Sequence, residues 1–437
     1  MLRGGEDVKG TSFSLPRTAA SATTALLEEL CAISSASDDV PGLRRMTNRL
    51  ATELRLRGLS TEIRGYPDGS GAKQPVLLAR SRSAGGNPML LVGHLDTVLP
   101  AIKPRRVGGR LVATGALDMK GGFAALLAAL DLLRSSGRGI PDDLLLVAVP
   151  DEEVSGRISE KVVRQWSTGA RVVLVLEPGE GRGEAETLVA GRRGLTEWRL
   201  EVVGRAAHSG LAFWEGRSAL VAAARWCTEA SRLSRPGRGV TVNVARLVAG
   251  TTDFVDGLAH GYHLLGTSNQ INVVPDRAIV EGEVRFLAAR EGRQAVARLE
   301  TLTRKLAASS GVDMALRPGI TVQPVDPRGT GQKLVARAVQ FAAARGWRLE
   351  VEEDRGGVSF PNYLAEPTHA PILDGLGPIG NGMHTREESV DLRSLARRSV
   401  LLADLLTDLA TPQETKSATA TIGDGTHRPR KATSRSR

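Results

Sequence analysis

One histidine and several carboxylates stand where short apolar runs end. Pro88–Val92 runs into Gly93-His94-Leu95-Asp96, Leu144–Val149 into Pro150-Asp151-Glu152-Glu153, and Arg171–Leu176 into Glu177-Pro178. A further element, Asp118-Met119-Lys120-Gly121-Gly122, lies just before an apolar stretch, GFAALLAALDLL. Histidine plus carboxylates, with no cysteine nearby, favours zinc, manganese or cobalt over a structural thiolate site. A catalytic metal site also needs a base. Adjacent Glu152 and Glu153 are suited to split the two duties, because successive side chains of extended backbone point opposite ways. In a two-metal site, ions about 3.5–4 Å apart share a bridging carboxylate and hydroxide. Taken singly, each piece has an ordinary explanation: Asp118 would cap a helix, the Asp-Glu-Glu run would be a solvated turn, and Glu177 would open a turn before Pro178. Their common placement is what carries weight.

The three runs are continuously apolar rather than alternating, which predicts strands buried on both faces of a sheet between helices. In open sheets of this kind ligands bind outside the carboxyl ends of the strands. Helical spacing recurs over Thr24–Ile33, Leu43–Arg57, Gly122–Leu133 and Leu334–Arg345. From about Gly191 the texture changes. Thr196–Val203, Val240–Val248 and Ala278–Phe286 alternate polar and apolar residues, with helical stretches at Arg217–Ser231 and Arg293–Ser309. Alternation predicts strands with one wet face. The expected fold is an α/β catalytic domain, with a mostly parallel mixed sheet between helices, interrupted by an inserted α+β domain. The expected boundaries are a disordered N-terminus at 1–18, catalytic parts at 19–190 and 315–410, the insertion at 191–314 and a disordered basic tail at 411–437.

Composition narrows the function classes. The chain has 437 residues, 41% hydrophobic and 24% charged, which is ordinary for a globular protein. No apolar run reaches the roughly 18–20 residues of a membrane span. The opening MLRGGEDVKG lacks the apolar core of an export signal. Two distant cysteines, Cys31 and Cys227, make no disulfide framework. A cytoplasmic location is expected. The net charge of +10 invites a nucleic-acid reading. However, the segment from Thr411 alone carries six Lys/Arg against Glu414 and Asp424, and aromatics are only 3%. The charge is therefore partly a solvated tail, and there are few rings for stacking bases, so neither nucleic acid nor membrane is an expected partner.

GHLDTV, GALDMKGG, PDEEVSG, LEPG, GRAAHSG, INVVPDRA and DGLGPIGNGMHTREESVDL follow one another in an order that resembles one family. It is that of the dinuclear zinc peptidases and deacylases, which includes glutamate carboxypeptidase, acetylornithine deacetylase and succinyl-diaminopimelate desuccinylase. The resemblance spans about residues 20–410. It implies two Zn²⁺ per chain (Co²⁺ or Mn²⁺ also possible) and an insertion that serves as lid and homodimer interface. Carried over residue by residue, His94 and Glu177 hold one metal, Glu153 and His384 the other, and Asp118 bridges. Glu152 is the general base, and Asp96 orients His94. His208 reaches a neighbouring subunit's site to stabilise the oxyanion. Asn272 and Arg285 contact substrate, and Arg317 binds its carboxylate.

The implied activity is hydrolysis of an amide beside a free carboxylate in a peptide or N-acyl amino acid, glutamate-carboxypeptidase-like. The alternative is a deacylase such as acetylornithine deacetylase or succinyl-diaminopimelate desuccinylase. A reading from another class is a non-catalytic binding protein on the same fold. His260 and His263 are expected at the surface and His369 in a structural role. Lys120 and Arg386 are expected as surface charges or as supports to the site. One departure stands out. Where the family carries Gly-Gly-x-Ser/Thr-Asp, this chain reads Gly356-Gly357-Val358-Ser359-Phe360. An apolar ring cannot replace a carboxylate as acceptor, so the pocket differs locally and glutamate specificity does not transfer directly.

Overall fold

A computed structural model describes residues 15–68, 71–83, 86–154, 156–234, 237, 239–258, 272–327, 329, 331–365 and 369–410. The expected tail at 411–437, most of the expected disordered N-terminus, and His260 and His263 lie outside the described residues.

The larger core surrounds a six-stranded sheet. Helices α1 (Arg17–Ala32) and α2 (Val40–Leu56) come first. An antiparallel pair follows, β1 (Ser60–Pro67) and β2 (Lys73–Arg80). Then come β3 (Met89–His94), α3 (Lys120–Ser135), β4 (Leu144–Val149), α4 (Arg157–Ser167) and β5 (Val172–Val175). The sheet order is β1-β2-β4-β3-β5, with a late two-residue strand, Ile372–Leu373, beyond β5. β3, β4, β5 and Ile372–Leu373 run parallel. Every residue of β3, β4 and β5 is buried, as continuous apolarity requires. β1, STEIRGYP, is an exposed edge strand, and its mixed polarity is why pattern reading passes over it.

The chain leaves β3 through α3 to reach β4 on one side, then returns through α4 to β5 on the other. Right-handed crossovers in opposite directions place α3 and α4 on opposite faces. The carboxyl end of β3 is therefore the point where the strand order reverses. α3 is buried almost all round, from Lys120 through Leu130, and packs between the sheet, α1 and the last helix. Its glycines allow that approach. A methyl group at Gly122 would overlap the Leu176 carbonyl oxygen, and one at Gly93 would lie 2.6 Å from Met119 Cε.

A second sheet has its own core. It comprises β6 (Gly194–Val203), α5 (Ala219–Ser231), β7 (Thr241–Gly250), the short α6 (Thr252–Leu258), β8 (Arg277–Phe286), α7 (Ala289–Ser310) and β9 (Asp313–Val322). The order is β7-β8-β6-β9, antiparallel throughout. One face buries Trp198, Leu200 and Val202 against Trp226 and Leu299. The other carries a lattice of charge pairs, Arg199–Glu201, Arg199–Glu281, Arg246–Glu281 and Arg277–Glu201. Two corrections follow. This sheet runs to Val322, eight residues past the expected boundary at 314, because β9 pairs with β6 from Asp313 to Val322. Helix α1 begins at Arg17, inside the stretch expected to be disordered, since its buried Leu27, Leu30 and Cys31 anchor the helix onto the core.

The chain then returns to the larger core through α8 (Gln332–Ala344), the one-turn α9 (Phe360–Leu364) and α10 (Leu392–Ala410), which packs on α3. Among the described residues no helix is long and apolar enough to cross a membrane.

The packing at Gly122 yields a first prediction. The atom that a methyl group would strike is backbone, so it cannot swing aside. Gly122→Ala should lower stability by about 1–3 kcal/mol, read as a lower urea midpoint. An unchanged midpoint would show that α3 has room to retreat.

Candidate active site

Register brings the chemistry together. His94 pairs with Val149, and Val92 pairs with Val175. Leu95 N donates to Val149 O at 2.7 Å and Leu176 N to Val92 O at 3.0 Å. Glu177 thus emerges level with His94, and Asp151–Glu153 emerges one step beyond on the other side.

Asp118 sits between two imidazoles. Its Oδ1 lies 3.0 Å from His94 Nε2 and its Oδ2 3.2 Å from His384 Nε2. His384 also meets Glu153 Oε2 at 3.1 Å, and His94 Nε2 lies 3.7 Å from Glu177 Oε1. The loop before α3 is fixed by buried Glu388, whose carboxylate accepts from the N–H groups of Gly115, Leu117 and Asp118 at 2.8–2.9 Å. The Asp118–Met119 peptide is cis, and His384 has φ of 63°. Asp96 turns its carboxylate toward the neighbouring strand end. It accepts from Ser37 Oγ at 2.7 Å and from the N–H groups of Glu152 and Glu153 at 3.2 and 3.1 Å. His94 Nδ1 lies 3.0 Å from the Asp96 carbonyl oxygen and 3.3 Å from its Oδ1. One acid thus orients the imidazole and holds the Glu152-Glu153 backbone in place.

Electrostatics follow from this crowding. Burial pushes the Glu152 carboxyl up to about 7; nearby His94 opposes the rise, and Asp118 and Glu153 add to it. Burial and the charge of Asp118 also raise Glu177 well above the carboxylate range. Burial disfavours the charge of Asp118, but hydrogen bonds to His384 and His94 outweigh it and hold that acid low. Hydrogen bonds to Asp118 and Glu153 lift His384 to about 10. Burial works against a charged His94, yet its bonds to Asp118 and Asp96 raise it well above its ordinary value.

The donor set suits divalent metal. His94, Glu152 and Glu177, and separately His94, Asp118 and Glu153, present ligand atoms within 4.8 Å of one another. Oxygen and imidazole donors with no thiol match zinc, cobalt or manganese. A cavity of about 990 Å³ elsewhere, lined by Asn87, Pro141, Arg171 and Pro371, opens at the amino ends of the strands. Its Asp143 and Asp408 are paired with Arg171 and Arg337, so it lacks a comparable set.

The residues assigned to the insertion behave differently. His208 is exposed, and its Nδ1 accepts from the N–H groups of Gly210 and Leu211 at 3.1 and 3.2 Å, which leaves Nε2 to carry the proton outward. Asn272 uses its carbonyl to hold Ser209 N. Arg285 is engaged: it pairs with Glu283 at 2.8 Å and donates to the Gly356 carbonyl at 2.8 Å. Arg317 is exposed opposite Arg199 on the charged face of the second sheet. His369 and Arg386 are exposed, so a structural role for His369 finds no support in burial. Lys120 is buried, not at the surface. Its Nζ donates to Ile33 O at 2.8 Å, and burial lowers its pKa.

Some site residues escape sequence reasoning. Ser359 Oγ lies 3.0 Å from Glu152 Oε1 and 3.2 Å from Glu177 Oε1. Buried Arg192, ion-paired with Asp374 at 2.6 Å, places its charge near Glu177. Glu388 stands within the HTREES run, but nothing in that run marks it as the acceptor for the Asp118 loop. Phe360 is fully buried, its ring 5.9 Å from that of His94.

Comparison with known proteins agrees with this geometry. The model of peptidase family M20/M25/M40 matches residues 90–408, well over half of the chain. The chain is 29% identical to carboxypeptidase G2 of a Pseudomonas species over 391 residues, covering 88% of each. It is 25% identical to a succinyl-diaminopimelate desuccinylase of Methylocella silvestris, over 82% of this chain and 91% of that protein. The crystal structure of aminopeptidase PepT from Bacillus cereus superposes with a TM-score of 0.71 at 20% identity, covering 90% of this chain and 99% of the other. An M20 family metallo-carboxypeptidase from Sulfolobus solfataricus gives a TM-score of 0.61 at 14% identity, over 89% and 99%. The chain therefore belongs to peptidase family M20/M25/M40 and is a metal-dependent hydrolase.

Proposed function

We propose that the protein hydrolyses an amide bond beside a free carboxylate, in the manner of a glutamate carboxypeptidase, with two zinc ions per chain. The observation that carries this is the division between two neighbours: the Glu153 carboxylate meets His384, whereas Glu152 turns to Ser359 beside Glu177. In this reading His94 and Glu177 hold one ion, Glu153 and His384 the other, and Asp118 spans both, with cobalt or manganese able to substitute. Such ions polarise a carbonyl and lower the pKa of water toward neutrality.

Glu152, whose carboxylate meets Ser359 rather than His384, is placed to take a proton from water and return it to the leaving amine. Asp96 keeps His94 in one tautomer through its Nδ1 contact. The outward Nε2–H of His208 is a free donor for an oxyanion in a neighbouring subunit, with the second sheet acting as lid and dimer interface. Asn272, Arg285 and Arg317 are the proposed substrate contacts, and Arg285 has to exchange its Gly356 bond to serve. The similarity to carboxypeptidase G2 along 88% of both chains supports the peptidase reading. Likeness to succinyl-diaminopimelate desuccinylases supports a deacylase of the same chemistry as the second reading. A hydrolysis screen of the zinc-loaded protein against N-acyl amino acids and dipeptides decides between them.

Glu152→Gln should keep near-normal metal content and lose at least about 10²-fold in kcat. Glu153→Ala should instead lose one metal, so elemental analysis separates the two. Retained turnover in Glu152→Gln would assign the base elsewhere.

Metal loading should release protons. His384 at about 10 and raised His94 both carry protons at neutral pH without metal. Ligation requires neutral imidazole. Glu177, also raised and also a ligand in this reading, adds a third, so a titration in weak buffer should show about two to three protons released per chain, and affinity should weaken as pH falls. The sign for stability is opposite in the metal-free protein. The His384 contact contributes fully below its ordinary value of 6.5 and is lost as pH rises through about 10. Metal uptake without proton release would refute the ligand set.

Mixing inactive His208→Ala and Glu152→Gln homodimers should restore activity, because a hybrid has one site with an intact base and an intact partner histidine. Random exchange makes about half the dimers hybrids, each with one working site, so about a quarter of wild-type activity is expected. No recovery, with exchange confirmed independently, would place His208 in its own subunit's service or none.

A further inference from the structure

The segment Gly356–Asn362 crosses the site held from several directions. The Gly357 carbonyl accepts from Arg192 Nη1 at 3.2 Å, and the Gly356 carbonyl accepts from Arg285 Nη1, on the second sheet, at 2.8 Å. Beyond it, Ser359 N donates to Asn362 Oδ1 at 3.1 Å. Fully buried Asn362 donates in turn to the carbonyls of Arg193 and Gln323 at 3.1 and 2.8 Å. Phe360 is sealed in the core against His94. A hydroxyl carried on such a support has little freedom. Ser359 Oγ is delivered between Glu152 Oε1 and Glu177 Oε1, at 3.0 and 3.2 Å. Among the described hydrogen bonds, Ser359 is the one donor to the Glu152 carboxylate.

A serine hydroxyl has one hydrogen and cannot donate to two acids at once. A carboxylate committed to a metal has its charge compensated there, whereas the neighbouring base does not. The hydrogen therefore belongs with Glu152 whenever Glu177 is ligated. We propose that Ser359 is a positioning residue: its hydroxyl fixes the rotamer of Glu152, so that the other oxygen of that carboxylate faces the reacting water. Phe360 and Asn362 clamp the segment that carries it. This rests on the reading of Glu152 as general base. It also explains how the segment stays in place without the acid expected at 360. A buried ring anchors the backbone by packing where a carboxylate would have used hydrogen bonds.

The test uses the full-length zinc-loaded protein and the N-acyl amino acid or dipeptide that the wild type turns over fastest. Hydrogen bonds to charged groups contribute about 1.5–3 kcal/mol, so Ser359→Ala should lose about 10- to 100-fold in kcat with KM within about twofold. Its metal content should be unchanged, and so should the visible spectrum of the cobalt-loaded protein, which reports ligand geometry. Ser359→Thr, which retains the hydroxyl, should recover most of the loss. In a Glu152→Gln background Ser359→Ala should cost nothing further, because the group it positions is already disabled. Wild-type kcat in Ser359→Ala, an additive loss in the double variant, or an altered cobalt spectrum would overturn the proposal. The altered spectrum would show the hydroxyl acting on Glu177 instead. Turnover retained in Glu152→Gln, or no hydrolysis by the wild type, would overturn the underlying reading, a result distinct from a loss confined to Ser359.

Discussion

Burying acids beside one another is costly unless positive charge answers them. Asp118, Glu177 and Asp96 are almost wholly buried, and Glu152 and Glu153 adjoin them. The cations at hand are His94 and His384, with Arg192 behind Glu177. Protonated imidazoles balance part of the charge, and burial drives protons onto Glu152 and Glu177 to balance more. A metal-binding cluster has this signature: its ligands collect protons where cations are meant to sit. Much of the surrounding structure serves to hold the acids in place against that cost. Glu388 receives three backbone N–H groups so that the Asp118 loop cannot relax. Asp96 pins two neighbouring residues and one imidazole together.

The sheet makes such precision possible. Three parallel strands, buried on both faces and locked by register, end within a residue or two of the same height. Reversal of strand order at β3 opens the crevice there, and the glycines of α3 bring its first turn against the strands. The opposite end of the same sheet shows the contrast. There Asp143 and Asp408 lie in a roomy cavity, yet each is matched by an arginine. Satisfied pairs leave nothing for a metal to do.

Much of this was legible in the sequence, for physical reasons. Continuous apolarity located β3, β4 and β5, and the polar residues at their ends located His94, Glu152, Glu153 and Glu177. Alternation located β6 and β8 with near-correct ends. β1 escaped because an exposed edge strand has no apolar stripe, and β9 because DMALRPGITV buries none of its residues fully. Ser359 and Glu388 escaped for another reason. Their roles depend on which distant groups they meet, a carboxylate 207 residues away for Ser359 and the backbone of the Asp118 loop for Glu388, and no local pattern encodes that. Of the two readings open for Lys120, burial removes the surface one, the ordinary choice because lysine is rarely buried whole. Here a single carbonyl of the α1–α2 connection receives it. His384 could be placed only through the resemblance, since the two-residue strand before it, Gly380–Asn381, has no apolar run to mark it.

Selectivity has to come from parts that this geometry leaves uncommitted. Around the Gly356–Ser359 segment the cations are already engaged: Arg192 with Asp374, Arg193 with Asp354, Arg285 with Glu283. Phe360 removes an acceptor from the same wall and gives its surface to the core. A substrate carboxylate entering here would have to displace one of these pairs or be met from the second sheet. Arg317 stands on the charged face of that sheet with no ion pair among the described residues, and Glu201 feels its field. If Arg317 is the substrate contact proposed above, it gives up only water to bind a carboxylate, whereas a buried arginine already paired would have to break its ion pair. In the proposed reading the base and the ligands His94, Glu153 and Glu177 stand at or just after the carboxyl ends of strands in the first sheet, whose register holds them level. In the same reading the choice among amides falls to the second sheet, whose core is separate.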